Sequence, residues 1–220
     1  MGAGPLPLDP LSRPRTPPLG FALRHPARVA LRLRHDRRSR FADRHLAGLR
    51  GIEVGGAAHN DFGLDTANVD RSADLGTVYK REELERCGRA MAVDVVAPGD
   101  ALPFADAAVD FVLASHVVEH FPDPIRALQE WRRVARQKVL LVVPHRDRTF
   151  DRDRPLTPVP ELLERHASGF TSDEDRHWSV WDLGSFLALC DAIGAPVLDW
   201  LDPDDKTGNG FMVVLGSGPA

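Results

Sequence analysis

The feature that most constrains this chain is an alternation that begins at Gly51, in which short apolar runs of strand length are separated by longer amphipathic stretches of helix length. Strands that alternate with helices in this way predict a mostly parallel sheet with helices on both faces. We therefore predict an α/β fold with a doubly wound sheet of seven strands. The predicted strands are 52–54, 67–69, 92–96, 111–114, 138–143, 197–201 and 211–215.

The last connection differs from the others. Residues 203–210, between the last two predicted strands, are rich in turn-forming Pro, Asp and Gly, which predicts an antiparallel C-terminal hairpin. In a plain dinucleotide-binding sheet the terminal pair would be parallel and joined by a helix. The predicted sheet is therefore Rossmann-like but ends in an antiparallel hairpin.

Two crossover helices are indicated by apolar residues at helical spacing. One follows Pro124, which suits a first helical turn, and the other ends at Gly194, which suits the position after a helix. The two apolar stripes are Ile125, Leu128, Trp131 and Val134 in the first helix, and Phe186, Leu187, Cys190 and Ile193 in the second.

Composition divides the chain into three parts. Residues 1–21 are rich in Pro and Gly and predict an irregular or disordered arm, whereas residues 22–50 mix arginines with recurring apolar residues and predict a basic helical extension. Residues 51–220 form the main predicted domain. Within it, the polar stretch at about 144–180 has little periodicity, and we interpret it as an active-site insertion.

The basic charge is concentrated in the N-terminal part. Residues 1–50 contain eleven arginines and three aspartates, although the whole chain has a net charge of −4. These arginines are interpreted as a solvated surface, as a clamp for an anionic substrate, or as a contact for nucleic acid or membrane. A transit peptide is a weaker fourth interpretation.

Two negative features restrict the class of protein. Cys87 and Cys190 are too few and too far apart in sequence for a disulfide framework or a zinc cluster. No apolar run approaches the roughly 20 residues of a membrane span, and there is no apolar core of a signal peptide. We therefore expect a cytoplasmic protein without a membrane partner.

A glycine turn and two acidic residues accompany the first predicted strands. Glu53 lies near the end of the first strand, and Gly55 and Gly56 follow it, which lets backbone N–H groups approach a ligand. Asp70 ends the second strand, where its carboxylate can accept hydrogen bonds from both ribose hydroxyls. A glycine turn followed by a strand-terminal acid is typical of a nucleoside-binding site.

Five segments carry a resemblance to a known family. They are Ile-Glu-Val-Gly-Gly at 52–56, Asn-Val-Asp at 68–70, Gly-Asp-Ala-Leu-Pro-Phe at 99–104, Val-Asp-Phe-Val at 109–112 and Ser-His-Val-Val-Glu-His-Phe at 115–121. Through them the chain resembles the class I S-adenosylmethionine-dependent methyltransferases, in the branch of small bacterial members with a Ser-His-Val-x-Glu-His motif. The resemblance covers about residues 50–216, so residues 51–220 are interpreted as a methyltransferase domain.

The resemblance implies S-adenosylmethionine as the cofactor and a position for each motif. It places Glu53 and Gly55 at the methionine end of the cofactor and Asp70 at its ribose. At the adenine it places Asp100, Ala101 and Leu102. Because the cofactor carries a sulfonium and an ammonium group, an acidic pocket without a phosphate-binding lysine suits it.

The glycine turn departs from the family pattern. A further glycine usually follows two or four residues after the position of Gly55, where this chain has Ala57 and His59. We therefore expect a wider turn in which side chains of residues 59 and 60 contact the cofactor instead. The predicted cofactor-binding set is completed by Gly56, Asn60, Ser115 and His116.

Two histidines are candidate catalytic residues. His116 follows the fourth predicted strand and is interpreted as a general base or a substrate-orienting group, or as a residue that only closes the methionine pocket. His145 follows the fifth strand, and Asp147 could orient its ring. His120 is interpreted as a packing or capping residue that shares a helical face with His116.

The polar stretch leaves two further questions open. His145, Asp147, His166 and His177 could form a metal site, but their spacing is not diagnostic and we assign no metal. The alternating Asp and Arg residues of 147–154 are interpreted either as self-paired or as a grip on a polar substrate.

The leading functional hypothesis is methyl transfer from S-adenosylmethionine to a small polar molecule such as a sugar, a natural product or a similar metabolite. The first alternative is a fold relative that binds the cofactor without methyl transfer or catalyses another reaction. A nucleic-acid-modifying protein is a weaker alternative, since the chain lacks an Asn-Pro-Pro-Tyr-like motif that grips a flipped base. The sequence does not identify which atom, oxygen, nitrogen or carbon, accepts the methyl group. It also leaves open whether the protein forms a homodimer.

Overall fold

A computed structural model describes residues 38–218. The predicted arm at 1–21 and most of the predicted extension at 22–50 therefore lie outside the described residues. The strands are β1 (Arg50–Val54), β2 (Asp65–Asp70), β3 (Val95–Val96), β4 (Val109–Ser115), β5 (Ala135–Pro144), β6 (Val197–Leu201) and β7 (Gly210–Gly216). The helices are α1 (Arg40–Leu46), α2 (Val78–Cys87), α3 (Pro124–Val134), α4 (Val159–Ser168) and α5 (Leu183–Ala192). No helix among residues 38–218 has the length and apolar character needed to cross a membrane.

The strands form one sheet in the order β3-β2-β1-β4-β5-β7-β6. Strands β1 to β5 pair in parallel, whereas β7 runs antiparallel to both β5 and β6. The predicted α/β fold with an antiparallel C-terminal pair is confirmed. The strand order reverses between β1 and β4, and in open α/β sheets ligands bind beyond the carboxyl ends of the strands at such a point.

Helix α3 covers one face of the sheet as its apolar stripe predicts. Its N-terminus is capped by Asp123, whose Oδ1 accepts a hydrogen bond from the backbone N–H of Arg126 at 3.0 Å. Trp131 donates its indole N–H to the carbonyl oxygen of Gly99 at 2.7 Å, which ties the loop after β3 to the helix. The whole predicted stripe is at most 1% exposed: Ile125, Leu128, Trp131 and Val134.

The opposite face is covered by α1, which belongs to the predicted basic extension. Its Phe41 and Leu46 are buried in a second core cluster that includes Phe111 of β4 and Met212 of β7. The loop between β6 and β7 holds this helix in place, because the carboxylate of Asp205 accepts hydrogen bonds from the Ser39 hydroxyl at 2.6 Å and the Phe41 N–H at 3.0 Å. Helix α1 is therefore part of the packed fold.

The polar stretch at 144–180 contains more regular structure than we predicted from its sequence. It holds a 3₁₀ turn at Arg146–Arg148 and the ten-residue helix α4. Helix α4 buries a single residue completely, Leu162, and ends at Gly169 in the left-handed conformation. One buried residue in ten produces a weak periodic signal, which explains why the sequence pattern did not reveal this helix.

Asp204 organises the loop between β6 and β7. Its carboxylate accepts hydrogen bonds from the backbone N–H groups of Lys206 at 3.0 Å, Thr207 at 2.5 Å and Gly210 at 2.8 Å. Burial alone would raise the pKa of Asp204, but the hydrogen bonds from Thr207 and Gly210 favour the charged form and hold the pKa below its ordinary value.

We expect the substitution Asp204→Asn to lower the free energy of unfolding near pH 7 by about 1–3 kcal/mol, because buried N–H groups lose a charged acceptor. A carboxyl group whose folded-state pKa is lowered stabilises the fold above its unfolded pKa of 3.8, and that contribution is lost as the pH falls through the folded-state pKa. Urea titrations at neutral and at strongly acidic pH should therefore show the difference between wild type and variant shrinking in acid. A difference that does not depend on pH would contradict this account.

Candidate active site

A cavity of about 1210 Å³ lies at the carboxyl ends of β1, β2 and β4, where the strand order reverses. Pockets for one small ligand are typically about 300–1,000 Å³, so this cavity has room for a nucleoside cofactor and a second molecule. Its walls come from the glycine turn after β1, the ends of β2 and β4, and the polar stretch at 144–180. Its lining includes several acidic residues and no lysine among the described residues.

The glycine turn uses its own N–H groups inside the protein. Gly55 has a φ of +67° and donates its N–H to the carbonyl oxygen of Val69 at 2.8 Å. The N–H of Gly56 donates to Asn68 Oδ1 at 2.9 Å, and a Cβ at Gly56 would lie 2.7 Å from that same oxygen. A phosphate-binding turn leaves such N–H groups to the ligand. This turn is therefore not arranged to bind a phosphate through the N–H groups of residues 55 and 56.

A buried ion pair in α2 fixes the next part of the turn. Lys80 Nζ lies 2.7 Å from Glu83 Oε1, and both side chains are at most 3% exposed. The other oxygen of Glu83 accepts hydrogen bonds from the N–H groups of Ala58 at 2.9 Å and Met91 at 2.7 Å. The sequence analysis missed this pair, because a Lys and a Glu three residues apart in a polar helix are typical of a solvated surface.

Three acidic residues that we predicted at the cofactor line the cavity. Glu53 is 3% exposed near the end of β1, and Asp70 is half-buried at the end of β2, where its Oδ1 accepts a hydrogen bond from the N–H of Ser72 at 3.2 Å. Asp100 lies on the loop after β3, with its Oδ2 3.4 Å from Arg126 Nε. The fold thus brings acidic side chains from three separate connections to one cavity.

Other predicted site residues divide into two groups. Asn60 and Ser115 line the cavity together, and the Asn60 amide donates to the Ser115 hydroxyl at 2.7 Å. Ala101 and Leu102 do not line the cavity. Leu102 is 5% exposed in the main core, and its N–H donates to Glu130 Oε1 at 2.7 Å. Side chains 101 and 102 are therefore not presented to a ligand in this cavity.

His145 and Asp147 also lie outside the lining of the cavity. His145 Nδ1 accepts a hydrogen bond from the backbone N–H of Asp147 at 3.1 Å, and the Asp147 carboxylate pairs with Arg146 at 2.8 Å. The carboxylate that was predicted to orient the His145 ring is thus engaged with a neighbouring arginine. The structure does not bring this predicted pair to the cavity.

His116 lies in the cavity wall directly after β4. It has a φ of +55°, an uncommon conformation for a residue with a side chain. Its side chain is 25% exposed, but its Nε2 is enclosed without a hydrogen-bond partner among residues 38–218. Burial lowers the pKa of His116 to about 4, opposed by the negative charge of Asp204 and assisted by the nearby His177 and His120. The ring is therefore neutral near pH 7 and is a weaker base than the unperturbed histidine assumed from the sequence.

A cluster that we did not predict surrounds Glu119. Burial raises the pKa of Glu119, which is fully buried, to about 8. His116, His120 and His177 each place a ring nitrogen 3.8–4.0 Å from Glu119 Oε1. Of the four residues in the metal set considered from the sequence, only His177 belongs to this cluster; His166 instead pairs with Asp123 at 2.8 Å.

The alternating Asp and Arg residues of the polar stretch are largely paired within the protein. Arg154 Nη1 lies 2.5 Å from Asp151 Oδ1, and Arg148 pairs with Asp202 of the loop after β6. The Asp151 carboxylate, which is 2% exposed, also binds His177. Among these pairs only Arg154 with Asp151 lies within residues 147–154, and it reaches into the cluster around Glu119.

Comparisons with known proteins agree with this fold. Residues 56–143, from the glycine turn to β5, match the Methyltransferase domain family. An uncharacterized methyltransferase from Mycobacterium sp. (strain KMS) is 51% identical over 49 residues, which are 22% of this chain and 19% of that protein. Another, from Mycolicibacterium paratuberculosis (strain ATCC BAA-968 / K-10), is 37% identical over 107 residues, 44% of this chain and 39% of that protein. The matched segments thus span less than half the length of these curated bacterial relatives.

Two solved structures share the fold over most of this chain. A methyltransferase from Thermotoga maritima, described as a possible histamine N-methyltransferase, has a TM-score of 0.52 at 17% identity and covers 91% of this chain and 94% of its own. A putative methyltransferase from Haloferax volcanii was solved with the Trm112 methyltransferase activator. It has a TM-score of 0.52 at 14% identity, and the match covers 91% of this chain and 97% of the Haloferax chain. At such identities the likeness shows the fold alone. The match to the Methyltransferase domain family covers residues 56–143 of that fold.

Proposed function

We propose that this protein transfers a methyl group from S-adenosylmethionine to a small polar acceptor, such as a sugar, a natural product or a similar metabolite. The observation that carries the proposal is the chemistry of the glycine turn. The N–H groups of Gly55, Gly56 and Ala58 are engaged inside the protein, and acidic side chains surround them. Such a wall suits a cationic nucleoside better than an anionic dinucleotide.

The residues of the cavity fit S-adenosylmethionine in separate regions. Glu53 and Gly55 would lie at the methionine end, Asp70 would accept hydrogen bonds from the ribose hydroxyls, and Asp100 would lie at the adenine. Asn60 and Ser115 would border the methionine end through their mutual hydrogen bond. Ala101 and Leu102 are not needed for this arrangement, because their side chains do not line the cavity.

The cofactor, when bound, supplies an electrophilic methyl group, and the protein's task is to place the acceptor in line with it. His116 lies at the end of β4 in the same cavity as Asp70. As a neutral imidazole it can accept a hydrogen bond from an acceptor hydroxyl or amine and orient it. His145 and Asp147 are left out of the proposed site, since they do not line the cavity.

Calorimetry with S-adenosylmethionine and S-adenosylhomocysteine tests the proposal directly. We expect both to bind one site per chain, and radiolabelled cofactor to transfer methyl to a member of an acceptor panel of sugars, amines and phenols. If neither molecule binds, the proposal fails.

The alternative of a fold relative that binds the cofactor without methyl transfer is favoured by one observation. The glycine turn continues into a 3₁₀ turn at Ala58–Asn60, and Ala57 and His59 line the cavity where the family has a further glycine. Binding of S-adenosylmethionine with no transfer to any acceptor of the panel would support this alternative.

We also propose the compartment in which the reaction takes place and the kind of acceptor. The buried Cys87 and Cys190 thiols fit a reducing, cytoplasmic compartment. The acceptor is proposed to be a small molecule rather than a nucleic acid, because acidic side chains such as Glu53, Asp70 and Asp100 line the cavity and would repel a phosphate backbone. A homodimer stays an open prediction.

A further inference from the structure

Three side chains converge on one wall of the cavity from two distant parts of the chain. Glu119 and His120 belong to the 3₁₀ turn Val118–His120 after β4, and His177 comes from the end of the polar stretch. Glu119 Oε1 lies 4.0 Å from His120 Nε2 and 3.9 Å from His177 Nε2. One ligand atom from each of the three residues lies within 4.8 Å of the others.

The carboxylate of Glu119 lacks the partners that a buried carboxylate normally has. Glu119 is fully buried, and neither of its side-chain oxygens has a hydrogen-bond partner among the described residues. The histidine nitrogens that face it are too far away for hydrogen bonds. Buried polar groups are ordinarily hydrogen-bonded or coordinate a metal, because leaving them without a partner is costly. The space between the Glu119 carboxyl group and the two imidazole Nε2 atoms therefore points to a cation.

Two further carboxylates orient the histidine rings toward this space. His177 Nδ1 lies 2.5 Å from Asp151 Oδ2, and His120 Nδ1 lies 3.2 Å from Asp175 Oδ1. A carboxylate accepts the Nδ1–H, which leaves the lone pair of each ring on the Nε2 that faces Glu119. Metal-binding histidines in proteins usually donate their other ring N–H to such a carboxylate.

Further hydrogen bonds hold the backbone around Glu119 and His177 in place. Arg154 binds the Asp151 carboxylate at 2.5 Å and donates to the carbonyl oxygen of His177 at 2.9 Å. The N–H of Trp178 donates to the carbonyl oxygen of Glu119 at 2.8 Å. The polar stretch is thus fixed to the turn after β4 at the position where the three side chains meet.

We propose that Glu119, His120 and His177 bind a divalent first-row transition-metal ion through one carboxylate oxygen and two Nε2 atoms. Two imidazoles and a carboxylate suit Zn²⁺ and related ions, whereas Mg²⁺ and Ca²⁺ prefer oxygen ligands alone. With metal–ligand distances of about 2.1 Å, tetrahedral geometry separates ligand atoms by about 3.4 Å. Because Glu119 Oε1 lies 3.9–4.0 Å from the two Nε2 atoms and all three ligand atoms lie within 4.8 Å of one another, the side chains must close by roughly half an ångström or more on binding.

Three protein ligands leave a coordination position open, as in catalytic rather than structural zinc sites. Glu119, His120 and His177 line the same cavity as Asp70 and Gly55, so the open position faces the space left for the acceptor. If the proposed methyl transfer holds, on which this consequence rests, the acceptor belongs to the class of hydroxyl compounds that can bind a metal through oxygen. His116, with Nδ1 3.8 Å from Glu119 Oε1, stands beside that position.

The test is metal titration of the full chain after removal of metal with a chelator. We expect one equivalent of Co²⁺ to bind with visible ligand-field absorption, and Zn²⁺ to displace it. The substitutions His177→Ala and Glu119→Gln should weaken Co²⁺ binding at least 100-fold, and Asp151→Asn should weaken it about 10- to 100-fold through the orientation of His177. Circular dichroism of each variant checks that it is folded.

The matched control is His166→Ala, since His166 lines the same cavity but pairs with Asp123 outside the cluster. Wild-type protein that takes up no Co²⁺ or Zn²⁺ would overturn the proposal, as would equal losses in the His166→Ala and His177→Ala variants. Calorimetry with S-adenosylhomocysteine on metal-free protein separates the two proposals. Cofactor binding without metal uptake contradicts the metal site alone, and metal uptake without cofactor binding contradicts the proposed function alone.

Discussion

The substitution Asp70→Ala is expected to weaken the binding of S-adenosylhomocysteine by roughly 10- to 150-fold. Hydrogen bonds to a charged group contribute about 1.5–3 kcal/mol, and each 1.4 kcal/mol corresponds to a tenfold change in affinity. Asp70 ends β2 in the cavity wall with a half-buried carboxylate, so its removal would leave the ribose hydroxyls without their acceptor. Calorimetry on wild type and variant measures the loss.

A control on the same strand separates ribose binding from a general effect on β2. Asp65 begins that strand with its carboxylate 3.2 Å from Arg50 Nε, and both side chains are about half exposed. Exposed pairs of this kind contribute little, so Asp65→Ala should leave cofactor affinity nearly unchanged. If Asp70→Ala binds as tightly as the wild type, the proposed position of the ribose is wrong.

The second large effect is expected on stability. The substitution Glu83→Ala should lower the free energy of unfolding by about 3–5 kcal/mol, because it leaves the Lys80 ammonium buried without a counter-charge. The same change removes the acceptor for the N–H groups of Ala58 and Met91. Urea unfolding measures the loss, and cofactor affinity should fall with it, since Ala58 continues the glycine turn.

Two comparisons test this explanation. Glu82→Ala, in the same helix, removes an exposed partner of Arg86 and should cost no more than about 0.5 kcal/mol. The double substitution Lys80→Met with Glu83→Leu removes both charges together and should be markedly more stable than Glu83→Ala. Similar losses from Glu82→Ala and Glu83→Ala would show that the buried pair does not support the turn.

Much of the fold could be predicted from the sequence because its signals are local. Each predicted strand lies within or overlaps an observed one, and the stripe from Ile125 to Val134 is buried as its spacing predicts. The turn-rich stretch between β6 and β7 indicated their antiparallel pairing. What it did not indicate is that β7 lies inside the sheet, next to β5, because the order of strands depends on contacts between residues far apart in the chain.

The site was less predictable than the fold. The acidic residues at the ends of β1 and β2 could be placed in the cavity, because the carboxyl ends of parallel strands meet at one edge. Lys80 and Glu83 could not, since their sequence pattern is that of a solvated helix and only the packing of α2 against the glycine turn buries them. The polar stretch was interpreted as an active-site insertion, and its pattern singled out His145 rather than His177.

The sequence by itself determined the α/β class, the parallel strands with their crossover helices, and the acidic glycine turn, because each depends on residues that are neighbours along the chain. Only the tertiary structure decided which polar residues meet. His177 reaches Glu119 through the pairing of Asp151 with Arg154 and through the backbone hydrogen bond of Trp178. Whether a charged side chain is solvated, paired or aimed at a ligand depends on the water excluded around it, and that is a property of packing rather than of sequence spacing.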